Sequence, residues 1–84
     1  MPRIIDGSKN NMVGEQVRYY RKLRKYSQKQ LSEKLETLAI YICRGSVSRI
    51  EDGSRTVTDI ELYGLSLVLG VSIEALFPSL KDNA

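Results

Sequence analysis

An all-α bundle of five short helices is the fold class that this sequence predicts, on three observations. Apolar residues recur at helical spacing, helix-start signals precede three of the runs, and glycine or proline follows the ends. The 84 residues are 42% hydrophobic and 27% charged, which suits a single small domain. A chain this short buries only about 60% of its unfolded surface, so its core is built from short elements and leaves little room for a large catalytic cleft.

Residues 1–11 mix Pro, Gly, Ser, Lys and Asn without periodicity and read as a flexible or loosely docked arm. The domain proper is expected over residues 12–78, with 79–84 as a C-terminal tail. Val13, Val17, Tyr20 and Leu23/Arg24 recur at helical spacing and predict a first helix from about 12 to 25. Ser27-Gln28-Lys29-Gln30 is an S-x-x-Q capping box, after which Leu31, Leu35 and Leu38 form the apolar stripe of a second helix over about 28–38. Residues 39–44 are β-branched and aromatic, yet no partner strand appears elsewhere, so an extended connector is expected. Val47 and Ile50 mark the inner face of a short third helix, closed by Gly53 in a left-handed conformation. Thr58-Asp59-Ile60-Glu61 is a second capping box, Leu62, Leu65 and Leu69 are the stripe of a fourth helix, and Gly70 closes it. Ser72 caps a final helical turn and a half that Pro78 stops.

Cys43 is the single cysteine and histidine is absent, which excludes an intrachain disulfide framework, a CxxC zinc site and the commonest general base. No catalytic residues, metal ligands or cofactor site can be assembled, and an enzyme is not expected. Neither a secretory leader nor an apolar run long enough to span a bilayer is visible, which points to a cytoplasmic, nucleoid-associated protein with no membrane partner. The net charge of +3 conceals an asymmetry: residues 1–55 carry 12 Lys/Arg against 6 Asp/Glu, and residues 56–84 carry 1 against 4. The first part suits a polyanion and the second does not.

Taken in order, Ser27-Gln28-x-x-Leu31, Val47-Ser48-Arg49-Ile50-Glu51-x-Gly53 and Leu69-Gly70-Val71-Ser72-x-x-x-Leu76 resemble the Cro/CI-like, or XRE-type, helix-turn-helix family over about residues 12–77. The resemblance implies a five-helix, lambda-repressor-like DNA-binding domain whose second and third helices form the helix-turn-helix. It also implies that Arg21 pairs with Glu51 to hold the third helix against the first. Two features depart from the family pattern. The connector is about five residues longer than usual, with the insertion in residues 36–41. Ser32 and Ser66 stand where alanine is common, each expected to bond back to its own helix. Cys43 occupies the place of a capping Ser or Thr and reads as a small buried hydrophobe.

In a helix-turn-helix the third helix enters the major groove while the second crosses the backbone. Its outward positions here are Arg44, Gly45, Ser48, Arg49 and Asp52. Base contacts are expected from Arg44, Gly45 and Arg49, above all from Arg49, whose guanidinium can bridge O6 and N7 of guanine. Phosphate contacts are expected from Gln28 and Lys29 in the first turn of the second helix and from Ser46, Ser48, Ser54 and Arg55. Ile60, Tyr63 and Leu67 lie within about 60° of one another on the fourth helix, opposite its core stripe. With Leu80 they make a dimer or partner surface, unless the insertion or the arm covers them. The expected function is a sequence-specific transcriptional regulator of bacterial or phage type. It would act on double-stranded DNA as a homodimeric repressor, with half-sites ~34 Å apart. The alternative is an antitoxin or other partner-binding module with autoregulatory DNA binding.

Overall fold

The computed structural model describes residues 8–78 and contains four α-helices: α1 (Gly14–Leu23), α2 (Gln28–Glu36), α3 (Arg44–Asp52) and α4 (Asp59–Leu69). The fifth expected helix is a single 3-10 turn, Glu74–Leu76, whose start is capped by Ser72 Oγ accepting from the Ala75 amide at 3.2 Å. No strand occurs among the described residues.

Both capping boxes form. Ser27 Oγ accepts from the Gln30 amide while the Gln30 side chain accepts from the Ser27 amide, and Thr58 and Glu61 do the same at the head of α4. These reciprocal bonds satisfy otherwise orphaned donors and fix where each helix starts.

The four helices stop by one device. A left-handed residue follows each end, at Lys25, Ala39, Gly53 and Gly70, and the next amide reaches back five residues. The bonds are Tyr26 N to Arg21 O, Ile40 N to Leu35 O, Ser54 N to Arg49 O and Val71 N to Ser66 O, all 3.0–3.1 Å. This closure satisfies carbonyls that the helix ladder leaves unpaired. Glycine marks two of the stops, while Lys25 and Ala39 do not announce themselves. The first two helices are accordingly shorter than their periodicity suggests, and both Leu23 and Leu38 are exposed rather than in the core.

Val17, Leu31, Leu35, Val47, Ile50, Leu65, Leu69 and Leu76 are the fully buried side chains, with Val13 and Ile42 joining them. The connector between α2 and α3, residues 37–43, contributes to this core at two points. Ile40 lies over Gly64 of α4, where a Cβ would collide with its Cδ1, and Ile42 is buried. Ser32 does not bond back to its own helix: its hydroxyl donates to the Ile42 carbonyl and ties the connector to α2. Ser66 likewise donates to Val71 O at 2.7 Å, beyond the end of α4. In each case the chain leaving the helix folds over the serine and offers a nearer carbonyl than the preceding turn.

The segment just before α1 is anchored. Asn11 Oδ1 accepts from the Val13 and Gly14 amides at 3.0 and 2.8 Å, and its Nδ2 donates to Ile50 O and Arg55 O at 3.0 and 2.7 Å. Asn10 donates from its backbone to Gly53 O and from its side chain to Ser54 O, and Lys9 Nζ donates to Asp52 O. Residues 9–11, which composition assigns to the arm, thus supply donors to the carbonyls at the end of α3, where a cation also opposes the helix dipole. Leu80, expected in the dimer or partner surface, lies outside the described residues.

Candidate nucleic-acid interface

Three helices meet at one carboxylate. Glu51, on the inner side of α3, accepts from Arg21 Nε at 2.6 Å and Arg21 Nη2 at 3.1 Å, and from Gln28 Nε2 at 3.1 Å. The remaining Arg21 nitrogen, Nη1, donates to Tyr26 O at 2.8 Å. Arg21 and Glu51 are 9% and 8% exposed, so their charges are largely desolvated and stand only because each has several partners. Gln28 therefore spends its side-chain amide inside the protein, which leaves its backbone N–H in the first turn of α2 as the group able to meet a phosphate.

With Val47, Ile50 and Glu51 turned inward, α3 presents Arg44, Gly45, Arg49 and Asp52 to solvent, and Ser46 and Ser48 are half-buried beside them. Arg49 Nη2 donates to Ser46 Oγ at 3.0 Å, and Nη1 lies 3.7 Å from where a Cβ on Gly45 would sit. The guanidinium is thus folded back along the first turn of α3. Lys29, on the second residue of α2, is exposed.

Two further candidates have internal partners. Arg55 donates to Glu61 through both nitrogens, at 2.9 and 3.0 Å, and so braces the capping box of α4. Ser54 receives from its own amide-to-Asp52 Oδ1 bond, 2.9 Å, a fixed place just past α3. The Ser54 hydroxyl and amide hold the exposed Asp52 carboxyl below the usual carboxylate range, helped by the charges of Lys9 and Arg49.

The Arg55 side chain likewise depresses the Glu61 carboxyl, against the opposing effect of burial. A carboxyl held low in the folded state stabilises the fold above its unfolded value, about 4.3, and that contribution disappears as pH falls through the lower folded value. Glu61→Gln is therefore expected to lower stability by about 1 kcal/mol at pH 7. The difference in melting temperature from the wild type should close as pH falls toward 3.

Cys43 corrects the expectation from composition. It is exposed, at the N-cap of α3, with its sulfur 3.4 Å from Ser46 Oγ and no capping bond from its side chain. Its place is dictated by the backbone, which has already turned extended (φ −72°, ψ 164°) to start the helix. The Ser46 hydroxyl and amide beside the sulfur lower the thiol below its ordinary pKa. Because the site has cap geometry without a good acceptor, Cys43→Ser should stabilise the domain by about 0.5–1 kcal/mol, read as a rise in denaturation midpoint.

On α4, Ile60, Tyr63 and Leu67 are 68%, 58% and 52% exposed, so neither the connector nor residues 8–11 cover them. Sequence reasoning missed three residues that position α3: Asn11, Lys9 and Gly14. A Cβ on Gly14 would overlap the Ile50 carbonyl oxygen and lie 2.9 Å from Glu51 O, so its bare Cα is what lets α1 start against the end of α3. No local pattern signals such an approach. Among the described residues there is no helix long and apolar enough to cross a membrane and no acidic, cysteine or histidine group of metal-binding size.

This arrangement has known counterparts. The chain matches no curated protein. Among solved structures it is similar to the one titled "Crystal structure of the DNA-binding domain of BldD", with a TM-score of 0.69 and 23% identity over 88% of this chain and 100% of that one. That likeness is one of fold alone. The helix-turn-helix family model HTH_3 matches residues 17–76, from within α1 to the end of the closing 3-10 turn. The chain belongs to the XRE-type helix-turn-helix family.

Proposed function

We propose that the protein is a sequence-specific DNA-binding transcriptional regulator that places α3 in the major groove and lays the start of α2 on the phosphate backbone. The observation that carries this reading is the polarity of α3. Its inner face is pinned by buried Val47, Ile50 and Glu51, and its outer face offers Arg44 at the helix start, the end that in this motif reaches base edges, and Arg49, whose guanidinium is folded back toward that start. The matched solved structure is of a DNA-binding domain, which supports the same partner. Arg49 is assigned to a base, Arg44 and Gly45 to the groove floor at the helix start, and Lys29, Ser48, Ser54 and the Gln28 amide to phosphates. Arg55, held by Glu61, reaches a phosphate only from the outer edge of its guanidinium.

Action on a two-fold site as a homodimeric repressor is the reading that the apolar outer face of α4 supports, with Ile60, Tyr63 and Leu67 left for a second copy. The same exposed face favours a second reading, in which it holds a different protein and DNA binding is autoregulatory. Sedimentation of the purified chain separates the two: self-association abolished by Leu67→Lys supports the homodimer, and a monomer at all concentrations supports the second.

Selection from random duplexes tests the main reading. A defined consensus should emerge, Arg49→Ala should lose about 1–3 kcal/mol of discrimination at one base pair, and binding should weaken with salt. Sequence-independent binding would leave a phosphate-binding protein and overturn the readout assignment.

A further inference from the structure

Ser46 is one of the residues that a helix-turn-helix would turn to phosphate, yet its hydroxyl oxygen already accepts from a neighbour within α3. It accepts from Arg49 Nη2 at 3.0 Å and has the Cys43 sulfur at 3.4 Å on its other side. A serine hydroxyl has two acceptor sites and one O–H donor; the two neighbours meet the acceptor sites and the donor stays free to turn to a phosphate, so the two roles are separated by their effects on binding. Arg49 is exposed, so without this bond its guanidinium would sample many rotamers and would lose that freedom on meeting a base. The bond spans three residues, one helical turn, and draws the guanidinium toward the N-terminal end of α3. There it passes over Gly45, where a Cβ would sit 3.7 Å from Nη1, in ordinary contact.

One N–H of the five in the guanidinium is used on Ser46, and four remain. Two parallel donors are enough for a bidentate contact with guanine, so holding the group does not spend the edge that reads. Serine is suited to this task because its short side chain reaches the guanidinium without competing for it as a carboxylate would.

We propose that Ser46 is a positioning residue for sequence readout, aiming Arg49 along the first turn of α3, rather than a phosphate contact. This rests on the DNA-binding function proposed above. A phosphate contact and a positioning bond have different signatures. Losing the first weakens binding to all sequences and makes the salt dependence shallower, while losing the second blunts discrimination at the base pair that Arg49 reads.

The test uses the full chain and the duplex obtained by selection, with each of the four base pairs placed at the position where Arg49→Ala loses discrimination. Ser46→Ala should lower discrimination there by about three- to tenfold, the cost of ordering one long side chain. The slope of affinity against salt should be unchanged, and Ser46→Thr, which keeps the hydroxyl, should retain most of the discrimination. A uniform loss over all four duplexes with a shallower salt slope would assign Ser46 to phosphate and overturn the proposal, as would no change at all. If Arg49→Ala itself leaves every base preference intact, the readout role of Arg49 fails and the proposal falls with it. That outcome is distinct from the others because it appears before Ser46 is altered.

Discussion

Glu51→Ala is expected to cost about 3–5 kcal/mol, roughly half of the stability of a domain of this size, which is of the order of 5–10 kcal/mol. The side chain is the common acceptor of Arg21 on α1 and Gln28 on α2, so removing it leaves a guanidinium 9% exposed with only the Tyr26 carbonyl for company. The loss is the desolvation of a stranded charge, not the worth of the ion pair, and a second variant shows the difference. Arg21→Met combined with Glu51→Leu removes both charges and should recover most of the stability, since apolar residues of similar volume avoid the desolvation altogether. Urea denaturation of the two variants checks both statements. A single-variant loss below about 1 kcal/mol, the range of an exposed pair, would show that the carboxylate is solvated and that the three helices are not joined there.

Gly14→Ala is expected to be the most damaging change of a small residue, at about 2–3 kcal/mol, although alanine is ordinarily the better helix former. The sign is reversed because the obstacle is backbone. The new Cβ would overlap the Ile50 carbonyl oxygen and crowd that of Glu51, and neither can swing aside without moving α3. Gly64→Ala is the control: the atom in its way is the far end of the Ile40 side chain, which can rotate, so the loss should be no more than about 1 kcal/mol. Thermal melts of both variants would decide. Equal losses at the two positions would mean that α1 and α3 are not in close backbone contact.

How far the sequence speaks for itself depends on how local the cause is. Ser27 with Gln30, and Thr58 with Glu61, are four-residue devices and are read without any tertiary knowledge; Gly53 and Gly70 announce the left-handed stops they make. Lys25 and Ala39 take up the same backbone conformation with no residue signal, so periodicity runs past the true ends, and it assigns to the core both Leu23, the last residue of α1, and Leu38, beyond α2, which are exposed. Ser32 and Ser66 are small in the right places, but the choice of carbonyl belongs to the chain that folds over them. Asn11 is the sharpest case. An isolated polar residue in an unpatterned segment gives no hint that it will bond to both the start of α1 and the end of α3.

The same division holds at the candidate interface. The outward set on α3 follows from helical spacing once Val47 and Ile50 are inside. That Gln28 and Arg55 turn to Glu51 and Glu61 does not, because an opposite charge brought near by folding competes with solvent for any long polar side chain. Basic residues on the face are therefore a pool of candidates, and internal carboxylates remove some of them from it.

The central claim is that α3 and the head of α2 form the surface that meets DNA. Titrating a duplex carrying one selected half-site into isotopically labelled protein, and following backbone amide resonances, tests it most directly. The largest perturbations should fall on Gly45, Ser48 and Arg49 and on the first-turn amides of Gln28 and Lys29, with Ile60, Tyr63 and Leu67 of α4 unmoved. Perturbations centred on the outer face of α4, with α3 silent, would contradict it.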